Sequence, residues 1–205
     1  MNKLLFLLPA LLLLGGCRSI GVNGAENYLK LYQEYPPAIK RFQVCHDMGC
    51  EKLASVTLGA QRWSELSRIF QRVAISAKDE RQQVAQAIAR FETLVGPLAG
   101  TSTDEARNDG AGHPDSELDC ISETVNTTTY LLLFEQQGWL RWHRVGEPVH
   151  RGFMHMQMPH NTAVLIEKKS GAEYVIDSWF HANGELPEVV SVAEWMAGYD
   201  PADAR

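Results

Sequence analysis

Apolar residues fall along this chain in three patterns, each of which predicts a different element. The first is a nearly solid run from Leu4 to Leu14, eleven residues between the single positive charge of Lys3 and the small-residue stretch Gly15-Gly16-Cys17. Such a run is too short to span a bilayer and has the layout of a targeting segment. The second pattern is helical. Tyr28, Leu31, Tyr32 and Tyr35 recur at helix spacing until Pro36-Pro37. A longer stripe follows over Glu51 to Val73 (Leu53, Val56, Leu58, Trp63, Leu66, Ile69, Phe70), broken near Gly59. Ser76-Ala77-Lys78-Asp79 supplies a helix cap, and Val84, Ile88, Phe91 and Val95 mark one face up to Gly96-Pro97, where a stop is expected. Val125, Thr129, Leu132 and Leu133 predict a further helix that begins at Cys120 and ends before Gly138.

The third pattern, alternation, starts at Trp139. Trp139 to Val145, Gly152 to Met158, Thr162 to Lys168 and Glu173 to Trp179 read as four antiparallel strands, with breaks at Gly146 to Pro148 and Lys169 to Gly171. Ser191-Val192-Ala193-Glu194 is a capping box for a short last helix. Helices first and sheet second predict an α+β fold. Between the two halves, Thr101 to Leu118 carries Gly110, Gly112 and Pro114 and the acids Asp104, Glu105, Asp109, Asp115 and Glu117, with Asp119 just beyond. The spacing of a calcium loop is missing, so a solvated connection is expected, and its place before Cys120 makes it a rim of any site there.

The ending Leu14-Gly15-Gly16-Cys17 resembles the lipobox of bacterial lipoproteins. That resemblance implies a signal peptide over residues 1–16, lipidation of Cys17, and a membrane partner through the lipid. Arg18, rather than an acid, follows the cysteine, which favours the outer membrane, facing the periplasm. The mature chain is then 205 − 16 = 189 residues, enough for one domain: a tether and helical segment over 17–50 and the main domain over 51–205. With 19 basic against 25 acidic residues there is no basic surplus, which argues against nucleic acid as a partner.

The chain has four cysteines. With Cys17 assigned to lipid, Cys45 and Cys50 close a small loop containing Gly49, and an oxidising compartment favours a disulfide there. A metal site on Cys45, His46 and Cys50 lacks a fourth partner. Cys120 is the odd thiol. Most lone cysteines are small buried hydrophobes, but this one stands at a helix start, where free N–H groups and the helix dipole favour the thiolate.

Two residues downstream change its meaning. His160 opens the strand Thr162 to Ile166, and Asp177 closes the strand Tyr174 to Ile176. If the hairpin turns through Lys169-Ser170, residue 162 faces 177 and 160 faces 179; a turn two residues on preserves the parity. Either way His160 and Asp177 share a sheet face, where a carboxylate can orient an imidazole.

Asp119-Cys120 at a helix start, His160-Asn161-Thr162-Ala163-Val164-Leu165 on a strand and Val175-Ile176-Asp177-Ser178-Trp179 on the next together resemble the transglutaminase-like cysteine peptidases of bacteria, over about residues 80–185. The resemblance implies a papain/transglutaminase-like core, a cysteine-bearing helix packed on an antiparallel sheet. It implies Cys120 as nucleophile, His160 as general base and then acid, and Asp177 as orienter. The substrate class is a protein or peptide of the cell envelope, and no cofactor or metal is required. Ile121-Ser122-Glu123 stands where the adhesin-cleaving members carry an acid-rich run, and Pro114 stands where papain carries its oxyanion glutamine. One oxyanion donor is thus the Cys120 backbone N–H, and the second is unassigned.

The chemistry implied is acyl transfer through a thioester, ending on water (hydrolysis) or on an amine (cross-linking). Substitution of the three residues is expected to leave the fold intact, since none is asked to fill the core. Two other readings compete. Met154, Met156 and Met158 beside His155 and His160 suit Cu(I), although three alternating methionines more often line a buried strand face. A catalytically inactive, lipid-tethered binding domain of the same fold would keep the architecture without the reactive thiol.

Overall fold

Where a cap and an apolar stripe coincide, the expected helix forms. The computed structural model describes residues 24–108, 117–152 and 158–201. After a short first helix, α1 (Gly24–Leu29), and a second, α2 (Ala60–Gln71), the longest helix is α3 (Ala77–Ala99). Ser76 Oγ accepts from Asp79 N at 3.1 Å, and Val84, Ile88, Phe91 and Val95 are all buried. The stop expected at Gly96-Pro97 comes later, because a proline in the last turn removes one backbone bond near an end where bonds are already lost. The terminator is Gly100, in the left-handed region at φ 84°, whose N–H returns to Gly96 O at 2.8 Å.

The stripe over Glu51 to Val73 splits into two elements. Its first part is a strand, β2 (Leu53–Val56), paired antiparallel with β1 (Phe42–Cys45) so that Phe42 faces Val56 and Cys45 faces Leu53. Residues spaced for a helix face fit a strand equally well over four positions, and here the available partner strand decides. The disulfide Cys45–Cys50 closes the connection between the two strands. This hairpin runs across residues 50 and 51, and Leu29, Phe42 and Val56 share one core with Phe91, Leu131 and Leu165. The segment before residue 51 is therefore part of the packed body. α1 is shorter than the Tyr28 to Tyr35 spacing suggested, although Tyr28 and Tyr32 remain in contact, ring centroids 5.3 Å apart.

The C-terminal sheet consists of β3 (His143–Val145), β4 (Val149–Arg151), β5 (His160–Glu167) and β6 (Glu173–Ile176), with β5 in the middle. β3 and β4 line the same edge of β5. Val145 pairs with Leu165 and Val149 with Thr162, so one extra residue is taken up as a bulge at Gly146-Glu147-Pro148. A Cβ on Gly146 would lie 2.8 Å from Val164 Cγ1, which is why the crossing needs glycine. β4 lies just before the strand expected over Gly152 to Met158, of which residues 153–157 fall outside the described residues. β6 pairs along the other edge of β5, Ala163 against Ile176, in the register that sets 162 opposite 177.

One helix is threaded through all of this. α4 (Cys120–Gln136) packs on β5, on β1 and on α3. Phe91 and Tyr130 stack at 4.3 Å, with Phe42 5.6 Å from Phe91 and Phe134 5.7 Å from it. α5 (Val192–Met196) closes the other face of the sheet, with Ser191 Oγ accepting from Glu194 N at 3.1 Å. The architecture is α+β. Among the described residues no helix is long and apolar enough to cross a membrane.

The entry to β3 depends on a single buried carboxylate from α3. Glu80 accepts from the backbone N–H groups of Arg141 (2.7 Å), Trp142 (3.0 Å) and His143 (2.9 Å) and from His143 Nδ1 (2.8 Å). Glu80→Ala removes the acceptor of four donors, two of them on the fully buried His143, and the expected loss of stability is about 3 kcal/mol or more. Urea unfolding checks it; a loss below about 1 kcal/mol would contradict this role.

Candidate functional site

The first two turns of α4 are polar and buried, and each polar group finds a partner. Asp119 is the N-cap: Oδ1 accepts from Ser122 N and Oδ2 from Gly49 N, each at 2.9 Å. Ser122 Oγ donates to Asp47 O (2.6 Å) and accepts from Cys50 N (2.8 Å). Asn126 brackets Cys45, accepting from its N–H at 2.7 Å and donating to its carbonyl at 3.0 Å. Three side chains on one helical face thereby dock the disulfide loop 45–50 onto the helix start, and Cys120, half-buried at the first helical position, is the free thiol.

Next to this face of α4 lies a group of buried acids that the expectation of a solvated loop overlooked. Asp104 and Glu117 are buried rather than solvated. Asp104 Oδ1 accepts from Leu118 N at 2.6 Å and shares a hydrogen bond with Glu123. Glu117 accepts from Glu105 N (3.0 Å) and Asn108 Nδ2 (2.8 Å). Glu92 of α3 accepts from Gly184 N at 3.0 Å. Burial is the main reason that Glu92 and Asp104 are both pushed up to about 7 and Glu123 well above the usual carboxylate range, with mutual repulsion adding to it. Two carboxyls can hydrogen-bond to each other only through a shared proton, so the pair Asp104–Glu123 holds one. The loop is stitched to the far side of the sheet as well, through Arg107 N to Trp179 O (2.8 Å) and Trp179 Nε1 to Asn108 O (2.7 Å). Asp109 and Asp115 lie outside the described residues.

His160 and Asp177 lie on the face of β5 and β6 that α5 covers. His160 Nε2 is 2.8 Å from Asp177 Oδ2, and both residues are buried, 4% and 2% exposed. Cys120 and His160 line the same cleft, and the thiol is near enough to raise the proton affinity of the imidazole. With Nε2 engaged by the carboxylate, Nδ1 is the nitrogen left for the sulfur. Burial lowers the tendency of His160 to hold a proton, but the hydrogen bond to Asp177 and the nearby Cys120 thiol outweigh it and the imidazole is pushed up to about 9. The structure therefore brings Cys120 and the His160–Asp177 pair together at one cleft.

Several participants were not expected. Trp195 Nε1 donates to the same Asp177 Oδ2 at 2.8 Å, and the His160 ring packs 4.6 Å from Trp179, 5.4 Å from Phe180 and 5.4 Å from Trp195. Arg151 lies over the Trp195 ring at 4.4 Å and donates to the carbonyls of Trp195 and Tyr199. Asn161 Nδ2 lies 3.8 Å from Cys120 Sγ. Only Trp195 had a nearby signal, the capping box that starts its helix. Because His160 and Asp177 are buried among these rings, the expectation that all three substitutions spare the fold needs correcting. His160→Ala opens a cavity in an aromatic cage and takes away one of the two side-chain donors to the buried Asp177 carboxylate, leaving Trp195 Nε1.

A cleft of about 440 Å³ opens onto the thiol, lined among others by Asn108, Cys120, Arg151, His160, Trp179 and Phe180. Among the described residues no cluster of three or more His, Cys, Asp or Glu side chains could hold a metal ion. Met154, His155 and Met156 of the copper reading lie outside the described residues, as do Cys17 and its leader. Against models of known families, curated protein sequences and solved structures, the chain finds no match.

The acid cluster sets a pH dependence whose sign follows from the direction of its shifts. Groups held above their unfolded values contribute stability that is fully present below about 4 and is lost as pH rises through about 7. The unfolding temperature is therefore expected to fall by several degrees between pH 5 and pH 8, and Glu123→Gln, neutral at every pH, should flatten the slope. A curve that rises over this interval, or a slope that Glu123→Gln leaves unchanged, would count against the shared proton.

Proposed function

We propose that this chain is a thiol enzyme of the cell envelope that attacks an amide bond of a protein or peptide, using Cys120 as nucleophile, His160 as proton carrier and Asp177 as orienter. What carries the reading is the grouping itself: a free cysteine at a helix start and an imidazole whose Nε2 meets a buried carboxylate at 2.8 Å, both lining one open cleft. The arrangement of a cysteine-bearing helix against an antiparallel sheet, with cysteine, histidine and aspartate in that chain order, is in keeping with a papain/transglutaminase-like core. The lipobox-like stretch before Cys17 supports a lipid anchor, in the outer membrane and facing the periplasm, after removal of residues 1–16.

The thiol proton resides on His160, whose affinity for it is raised, and the sulfur of the resulting thiolate–imidazolium pair attacks the carbonyl carbon. The imidazolium then protonates the departing amine, leaving a thioester on Cys120. Asp177 keeps the ring in one orientation and stabilises its charged form, and Trp195, by donating to the same oxygen, keeps the carboxylate from turning away. Water or a second amine then resolves the thioester.

The test is labelling and turnover by the purified mature chain, against periplasmic proteins and cross-bridge peptides. Cys120→Ala is expected to lose activity by roughly 10³-fold or more, while Asp177→Asn retains a measurable remainder, since the imidazole is still present. For the histidine, His160→Gln is the better variant, because it keeps part of the volume inside the aromatic cage. Activity should also fall as pH passes about 9, where His160 no longer carries the proton that the leaving amine needs. Full activity of Cys120→Ala on the true substrate would end the proposal. A chain whose thiol is unreactive and which tolerates Cys120→Ala and Asp177→Asn would be a binding domain.

A further inference from the structure

We infer that Asn161 supplies the second hydrogen bond to the oxyanion, a role that rests on the thiol-enzyme reading above and completes it. Successive residues of a strand point to opposite faces, so His160 and Asn161 part company at the start of β5. His160 joins Trp195 and Asp177, whereas Asn161 shares the side of Ala163 and Leu165, which are buried in the core with Val125 and Leu131 of α4. From there its Nδ2 reaches to 3.8 Å from Cys120 Sγ. The imidazole and the amide thus approach the same sulfur from adjacent positions of one strand. The thiol proton goes to His160, and the Asn161 NH2, which can only donate, takes no part in that transfer. What the amide can meet is the charge that appears next to the sulfur during attack.

As Sγ bonds to the carbonyl carbon, the C=O π pair moves onto the oxygen, which then sits two bonds from the sulfur. Effective oxyanion donors lie about 2.7–3.1 Å from that oxygen, and a nitrogen 3.8 Å from the sulfur can satisfy this for an oxygen placed between them. The other donor is the Cys120 backbone N–H, which at the first helical position has no carbonyl within its helix to bond. When the tetrahedral species collapses, the oxygen pair re-forms C=O and the C–N pair leaves with the proton from His160. Asn161 is suited to this task by its setting, half-buried and fixed by pairing with His150 of β4, so its amide is aimed before substrate arrives. It also answers the presence of Pro114 six residues before the cysteine, where a side-chain donor would stand in papain.

Two probes separate oxyanion stabilisation from any effect on the thiol. p-Nitrophenyl acetate acylates Cys120 through a tetrahedral oxyanion, whereas iodoacetamide alkylates it by direct displacement at carbon without one. For the mature chain at pH 7.5, Asn161→Ala is expected to slow acylation by at least about tenfold while the iodoacetamide rate stays within about threefold of wild type. Asn161→Asp, equal in size but unable to donate when ionised, should slow acylation at least as far, and it decides the matter if the alanine variant unfolds. Parallel loss of both rates would reassign Asn161 to holding the thiol and overturn the inference, as would no loss of either. Wild-type acylation no faster than that of Cys120→Ala would instead bring down the thiol-enzyme reading itself.

Discussion

A buried polar helix start is the constraint on which the rest of this structure depends. Ser122, Glu123, Thr124, Asn126, Thr127, Thr128 and Thr129 of α4 are all buried, a composition that water would ordinarily claim. Burying a polar group without a partner costs on the order of 1–3 kcal/mol by protein mutational data. The helix can therefore stand at the centre of the molecule only if its surroundings supply partners for most of these groups, Thr128 Oγ1 being the one hydroxyl among them that is buried without a hydrogen bond. The disulfide loop does so for Ser122 and Asn126, the 101–118 segment for Glu123, and the stretch after β6 for Thr127, whose hydroxyl lies 3.1 Å from Ser178 Oγ. Each partner is drawn from a part of the chain distant in sequence, so satisfying the helix also assembles the site around Cys120.

How much of this could be read beforehand depends on whether the signal is local. The helix after Cys120, the cap at Ser76 and the shared face of His160 and Asp177 were legible because a period or a cap fixes them within a few residues. The pairing of Cys45 with Cys50 was legible because only a short loop with a glycine separates them. The β1–β2 hairpin was not, since Phe42–Cys45 is buried along its whole length and shows no alternation, and Leu53–Val56 is too short to declare its period. Nor was the burial of Asp104 and Glu117. An acid in a glycine-bearing loop looks solvated unless one knows that α3 and the segment after Asp177 close over it.

The same reasoning explains why acids rather than amides surround Glu123. Carboxyls held together out of water relax their repulsion by keeping protons, and a protonated carboxyl can donate where an ionised one only accepts. Asp104 accepts from a backbone N–H and shares a proton with Glu123 at once, linking the loop that borders the cleft to the helix that carries the thiol. The linkage is conditional on pH in a way that an asparagine in either place would not be.

His160 and Asp177 raise the opposite question, why a pair that could ionise freely is so deeply enclosed. A carboxylate with one donor could swing; with Trp195 and His160 both directed at Oδ2, its position is set by two rigid rings, one of them held beneath the guanidinium of Arg151. The imidazole in turn is confined between Trp179 and Trp195, which limits how its ring can turn. Enclosure by itself would strip His160 of its proton. The carboxylate and the thiol reverse that balance, and the ring stays a proton carrier because both of its neighbours are placed to favour the charged form.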